Sequence, residues 1–203
     1  MATNDFATTE FQLVLLRRMA DFHPDLVGQA VRRLGATRSD LREANKRRQA
    51  LIRSSRLPHG ARRYAAALGP PEAVIPRRLG DLDCAAQHWA LPLRTGLRFE
   101  ILLGPAGGPT APLNEWLVRA PGLSTPTPRL LADLTPWSCV VADVAAAFPP
   151  AMPHEGSAPT RWELDFTAPD ATGRPRPCTA EFSWGLLREV RLDDLGEAVP
   201  PSR

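Results

Sequence analysis

Apolar residues recur at helical spacing through the first third of the chain and at alternate positions through much of the rest. Phe11, Val14, Leu15, Met19 and Phe22 mark one face of a first helix, with Thr8 placed to cap it. Leu26, Val27, Ala30, Val31 and Leu34 mark a second, which opens at Pro24 and stops at Gly35, a residue able to take the left-handed conformation past a helix end. A third helix starts with Thr37 as cap and Asp40 three positions on, and its pattern runs to about Ser54. Arg62 to Leu68 adds a short fourth.

Period two takes over after that. Trp89, Leu91 and Leu93 alternate, Arg94-Thr95-Gly96 make a turn, and Leu97, Phe99, Ile101 and Leu103 alternate again, the signature of a hairpin. Asn114 to Arg119 reads as a further strand. Thr135-Pro136 resembles an N-cap and first helical residue, predicting a helix through about Ala147. Trp162, Leu164 and Phe166 then define a strand, Cys178, Ala180, Phe182 and Trp184 another, and Leu186, Val190 and Leu192 a last one, with Gly185 as a bulge or bend before it. The stretches 104–113 and 149–159 read as loops, and no internal sequence repeat stands out.

These patterns predict an α+β protein: a helical N-terminal region followed by an antiparallel β-sheet with a packed helix. Proline usage sharpens the division, since 20 of the 22 prolines and all five tryptophans follow residue 68. The expected organisation is a basic helical region over 1–68, an antiparallel α+β domain over 69–195 and a tail over 196–203, joined at Gly69-Pro70-Pro71.

Composition supports a folded core, with 43% hydrophobic and 23% charged residues in 203. No apolar run reaches the roughly 20 residues that span a bilayer, and the first ten residues lack the order of a signal peptide, so no membrane is expected and the cytoplasm is the expected compartment. Cys84, Cys139 and Cys178 are odd in number and far apart, which fits buried thiols better than a disulfide framework or a zinc motif. The net charge of +3 conceals an asymmetry: through Arg63 there are 13 Lys and Arg against 6 Asp and Glu, and after it 12 against 16. Positive charge therefore belongs to the helical region. Lys46 is the sole lysine, however, and so general an arginine usage weakens arginine identity as a sign of phosphate binding.

Ala30, Leu34, Ala36, Leu41 and Ala44, with the turn Leu34-Gly35-Ala36-Thr37-Arg38-Ser39 between them, resemble the helix-turn-helix of bacterial transcription factors, in its LacI-type spacing, over about residues 27–48. Val31 departs from it, standing where that family prefers a small alanine. The resemblance implies that the third helix enters the major groove of duplex DNA. The residues add their own argument, because Arg38, Arg42, Asn45, Lys46, Gln49 and Arg53 line one face of that helix, opposite Leu41 and Ala44. Such a stripe offers cations to phosphates and forked donors to base edges, although a solvated helix in an arginine-rich protein has the same appearance.

Signals for catalysis are fewer. Glu163 and Asp165 lie two apart on a strand and face Glu181 across a hairpin, but the apolar partners Trp162, Leu164 and Phe166 turn those carboxylates toward solvent. Cys84 and His88 have a spacing that a helix would bring to one face, without further ligands to complete a metal site. His23 and His154 each stand beside a proline in predicted loops with no partner assigned. Neither metal nor cofactor is expected. Phe182 to Arg191 resembles the last strands of NTF2-like proteins, which implies a curved sheet whose concave face, with Trp162, Phe166, Phe182 and Trp184, lines a small-molecule pocket; the plainer reading makes those aromatics core.

The leading expectation is a DNA-binding or DNA-associated regulator whose later domain senses a ligand or pairs two copies of the chain. A small-molecule-binding protein or enzyme, and a non-enzymatic interaction or accessory protein, are the alternatives. Exposure of the stripe on the third helix separates them.

Overall fold

Every residue from Phe11 to Leu16 is buried, although they circle the whole of the first helix, α1 (Ala2–Met19). A helix lying on a surface buries one stripe, so α1 must be enclosed. Three other helices pack on it: α2 (Pro24–Arg33), α3 (Arg38–Arg53) and α4 (Arg62–Leu68). Phe11 closes the remaining side by meeting Phe99 of the first sheet edge to face, with ring centroids 4.7 Å apart. The computed structural model describes residues 2–53, 62–105, 112–156, 158 and 160–193.

Local chemistry sets the helix ends as the sequence implies. Pro24 takes the first position of α2, and Gly35 beyond its end has φ of +65°. At the start of α3 the Thr37 backbone N–H donates to Asp40 Oδ2 at 2.8 Å while the Asp40 N–H donates to Thr37 Oγ1 at 3.2 Å, a reciprocal capping box. The Thr37 hydroxyl also donates to Asp40 Oδ2 at 2.7 Å, and this bond, then the one from the Thr37 N–H, holds the Asp40 carboxyl below its ordinary pKa.

The chain divides into two compact units, Met1–Leu123 and Ser124–Arg203. The expected joint at Gly69-Pro70-Pro71 therefore lies inside the first unit, whose helices pack on a sheet of their own. That sheet is an antiparallel meander of β1 (Ala73–Leu79), β2 (Leu82–Ala90), β3 (Leu97–Leu103) and β4 (Asn114–Arg119) in sequence order. Trp89, Phe99 and Leu117 stand side by side across β2, β3 and β4 on the face that meets the helices. Tyr64 of α4 lies against both Trp89 and Phe99, and its hydroxyl bonds to Glu115.

Two sequence expectations differ here. The strand carrying Trp89 starts seven residues earlier and ends at Ala90, because Pro92 opens a short 3-10 turn, Pro92–Arg94, instead of continuing the alternation through Leu93. β1 was hidden because it is a largely exposed edge strand, AVIPRRL, with a proline in its middle.

The second unit contains α5 (Val141–Ala147) and a second antiparallel meander of β5 (Met152–Glu155), β6 (Arg161–Pro169), β7 (Pro175–Ser183) and β8 (Leu186–Leu192). The strands after residue 69 thus form two separate four-stranded sheets, not the one curved sheet that the NTF2-like resemblance implies. α5 begins later than Thr135-Pro136 predicts, since Trp137 takes a left-handed conformation with φ of 66° that no right-handed helix accommodates. Residues 137–139 run instead beside β8, where the Trp137 N–H donates to the Leu187 carbonyl and the Leu187 N–H to the Cys139 carbonyl, both at 2.9 Å. Asp143 then caps the helix by accepting from the Val140 N–H at 2.8 Å. β5 falls where a loop was expected, again as a short edge strand containing a proline. The α+β class read from the pattern is the observed one.

Candidate nucleic-acid interface

Burial along α3 alternates with its helical period. Leu41 and Ala44 are buried, and α3 packs mainly along α1, with a smaller contact to α2. Arg38, Arg42, Lys46 and Gln49 are exposed and Asn45 is half-buried beside them. The helix thus carries its polar stripe on the side away from its packing partner, within the first unit. Arg53 ends the helix, and its side chain lies outside the described residues.

Two ion pairs involve α3, one of them on that face. Lys46 Nζ lies 2.8 Å from Glu43 Oε1 one turn earlier, and this hydrogen bond, then the lysine charge, holds the Glu43 carboxyl below its ordinary pKa. Both side chains are more than half exposed, so the pair is weakly held and a phosphate can compete for the lysine. Arg47 turns the other way and joins α3 to α1 through Glu10 at 2.8 Å. Arg47 is therefore structural, while Arg38 and Arg42 complete the outward row with Lys46.

A second interaction of positive charges was not evident in the sequence. The charges of Arg33 in the last turn of α2 and of Arg119 at the end of β4 both act on Arg94 in the 3-10 turn. Arg94 is half-buried, and that burial, then the charges of Arg33 and Arg119, holds its pKa below the ordinary arginine value. Separations of 61 and 25 residues conceal such an interaction from any pattern along the chain.

The face of the first sheet opposite the helices holds another feature that spacing alone did not reveal. His88 Nε2 lies 2.7 Å from Glu100 Oε2, and Trp116 Nε1 donates to Glu100 Oε1 at 2.8 Å. The three residues are register partners across β2, β3 and β4. Burial pushes the Glu100 carboxyl up, but the hydrogen bonds from His88 and Trp116, with the charges of His88 and Arg77, outweigh it and hold the group below its ordinary pKa. Cys84 shares this strand face with His88, yet four residues of extended chain, about 13 Å, separate them, which removes the helical Cys-His pair considered from spacing. Among the described residues no group of three or more His, Cys, Asp or Glu is placed to hold a metal ion.

In the second unit the aromatics divide by position. Phe166 and Phe182 are core residues beneath α5, where Phe148 stacks on Phe166 at 5.4 Å. Trp162 is half-buried against the same core. Trp184 is not on β7 at all: with Gly185 it forms the two-residue turn between Ser183 and Leu186, at φ of 54° and 73°. Gly185 accordingly makes a tight hairpin turn and not a bulge; the register shift lies between Glu181 and Phe182.

Two of the carboxylates on the other face of that sheet, Glu181 and Asp165, have basic side chains beside them. Glu181 pairs with Arg188 and, at 2.7 Å, with Arg191. Asp165 lies 2.8 Å from His154 and accepts from the Thr179 hydroxyl at 2.8 Å. His154 thus sits in β5 with a partner, not in a loop. All three cysteines are buried free thiols.

No family model and no curated protein matches the chain. A crystal structure described as a "putative beta-lactamase inhibitor protein" from Streptococcus mutans is similar over 73% of this chain and 95% of that one, at 12% identity and a TM-score of 0.27. A likeness of that size assigns neither fold family nor activity. Among the described residues no helix is long and apolar enough to cross a membrane.

Proposed function

We propose that this protein is a DNA-binding or DNA-associated regulatory protein that presents the outer face of α3 to duplex DNA. One observation carries the reading: the face of α3 opposite the buried Leu41 and Ala44 leaves Arg38, Arg42, Lys46 and Gln49 exposed. Arginine and lysine neutralise phosphates there, and Asn45 and Gln49 supply the paired donor and acceptor that read base edges. The second unit takes the regulatory part in this reading, sensing a ligand or pairing two copies of the chain.

The reading is tested by fluorescence anisotropy with a labelled duplex over a series of salt concentrations. The Arg42→Ala, Lys46→Ala double variant is expected to bind more weakly, with a salt dependence shallower by about 2 in log-log slope, near 0.9 for each phosphate no longer neutralised. Its thermal unfolding should match the wild type, because neither side chain packs in the core. Equal affinity and equal slope for the two proteins overturn the reading.

A protein partner is the second reading, favoured by the hairpin of β1 and β2. Leu79 and Leu82, register partners beside its turn, are exposed at 54% and 46%, an adjoining pair of large apolar side chains that a partner could cover. Crosslinking the purified chain over a concentration series detects pairing of copies through it.

A further inference from the structure

We propose that the second unit pairs two copies of this chain edge to edge through β8, with Val190 on the two-fold axis between them. The proposal rests on the pairing role given to that unit above and supplies its surface.

The two edge strands of the second sheet are not alike. β5 carries Pro153, which removes a backbone donor, whereas β8 contains no proline. The start of β8 is covered, because residues 137–139 bond to Leu187 on its outer side. Further along the strand the Asp193 N–H donates to the Pro177 carbonyl at 3.1 Å, and Leu192, Arg191 and Val190 are the register partners of Cys178, Thr179 and Ala180. Hydrogen-bonded pairs alternate along an antiparallel ladder, so Asp193, Arg191 and Glu189 turn their backbone groups to β7 while Val190 and Leu192 turn theirs outward. Among the described residues nothing bonds to those outward groups. Glu189, Arg191 and Leu192 are exposed, the leucine by 50%, and Val190 is half-buried.

A second copy set antiparallel along this edge satisfies it. Val190 exchanges backbone hydrogen bonds with Val190 of the second copy, and the two sheets become one. In that register Glu189 stands opposite Arg191 of the second copy and Arg191 opposite its Glu189, at the closely spaced positions where opposite charges across strands attract. Within one chain Glu189 already lies 3.0 Å from Arg188, and Arg191 2.7 Å from Glu181. Their side chains remain 47% and 57% exposed, and a carboxylate and a guanidinium each have capacity for a further partner. Leu192 becomes the diagonal neighbour of Val190 of the second copy, which covers an apolar side chain otherwise in water. An unrelated strand can satisfy the open backbone, but the order of charge about Val190 fits this chain to itself.

Light scattering after size exclusion, over a series of protein concentrations, tests the pairing. Wild type is expected to reach twice the mass of one chain. Glu189→Arg sets arginine against arginine at both contacts and Arg191→Glu sets glutamate against glutamate, so each variant alone is expected to associate about tenfold more weakly. Mixed in equal amounts, the two variants regain both charge pairs and should associate as wild type does. Leu192→Pro removes an outward donor and none directed at β7, so it should weaken association as well, and it decides the matter if a charge reversal fails to fold. A wild type that keeps the mass of one chain, unchanged association in the variants, or no recovery on mixing overturns the proposal. Association that survives these changes but is lost in Leu79→Ser, Leu82→Ser belongs to the β1–β2 hairpin and overturns it too, while leaving a pairing protein. No duplex enters these measurements, so the α3 reading stands or falls separately, through the Arg42→Ala, Lys46→Ala protein.

Discussion

His88 Nε2 and Glu100 Oε2 form a buried hydrogen-bonding contact of 2.7 Å across β2 and β3, on the sheet face away from the helices. The folded state holds the Glu100 carboxyl below its ordinary pKa, so its contribution to stability is present above the unfolded value of about 4.3 and is lost as pH falls through the lower folded value. Wild type should lose stability on acidification through that range. Glu100→Gln, which cannot ionise, should lose less there and be less stable at neutral pH by about 2 kcal/mol, through the weakened bonds to His88 and Trp116. Urea unfolding at a series of pH values checks this, and parallel curves for the two proteins would count against it.

Gln12 is an amide in the middle of a buried helix, exposed by only 2%. Its oxygen accepts from the Leu93 N–H. Gln12→Leu leaves that backbone donor unpaired and is expected to cost roughly 1–3 kcal/mol, even though leucine is the better helix former. Chemical denaturation measures the loss. An unchanged midpoint would mean that the turn finds another acceptor.

Phe166 distinguishes core from pocket wall. Stacked on Phe148 and buried under α5, it should cost about 3–5 kcal/mol when replaced by alanine. A pocket-lining residue would instead tolerate the change and alter ligand binding. Thermal unfolding of Phe166→Ala gives the answer.

Gly185 occupies the second left-handed position of the turn after Trp184. Gly185→Ala is expected to destabilise by about 1 kcal/mol, the cost of placing a Cβ in that conformation. Asparagine at the same position should cost less, because its side chain tolerates that region better. The order of the two midpoints in urea is the test.

Helices were the most legible part of the sequence. Pro24, Gly35 and the Thr37-Asp40 pair act within a few residues of themselves, so α2 and α3 could be bounded from local chemistry. Central strands were legible for a similar reason, as Phe99 and Leu164 belong to runs of alternate apolar residues that share one face. Edge strands β1 and β5 were not, because one side of an edge strand needs no hydrogen-bonding partner and prolines can sit there. The left-handed Trp137 gave no warning either, since the left-handed conformation is disfavoured for a bulky residue and only tertiary hydrogen bonds to Leu187 impose it. On the candidate interface, Arg38 to Gln49 could be placed on one face from period alone. His88, Glu100 and Trp116 meet only through sheet register.

Within each meander, every strand is paired with its neighbour in the chain. Among the described residues the pairings between named strands are all local, and only the bridge from residues 137–140 to β8 joins distant segments, so most of the entropy of closing long loops is avoided while the meanders form. Each can grow hairpin by hairpin, with Gly80-Asp81 linking the first pair of strands in one and Trp184-Gly185 the last pair in the other. Ordering of either sheet as its own strands leave the ribosome follows from that locality.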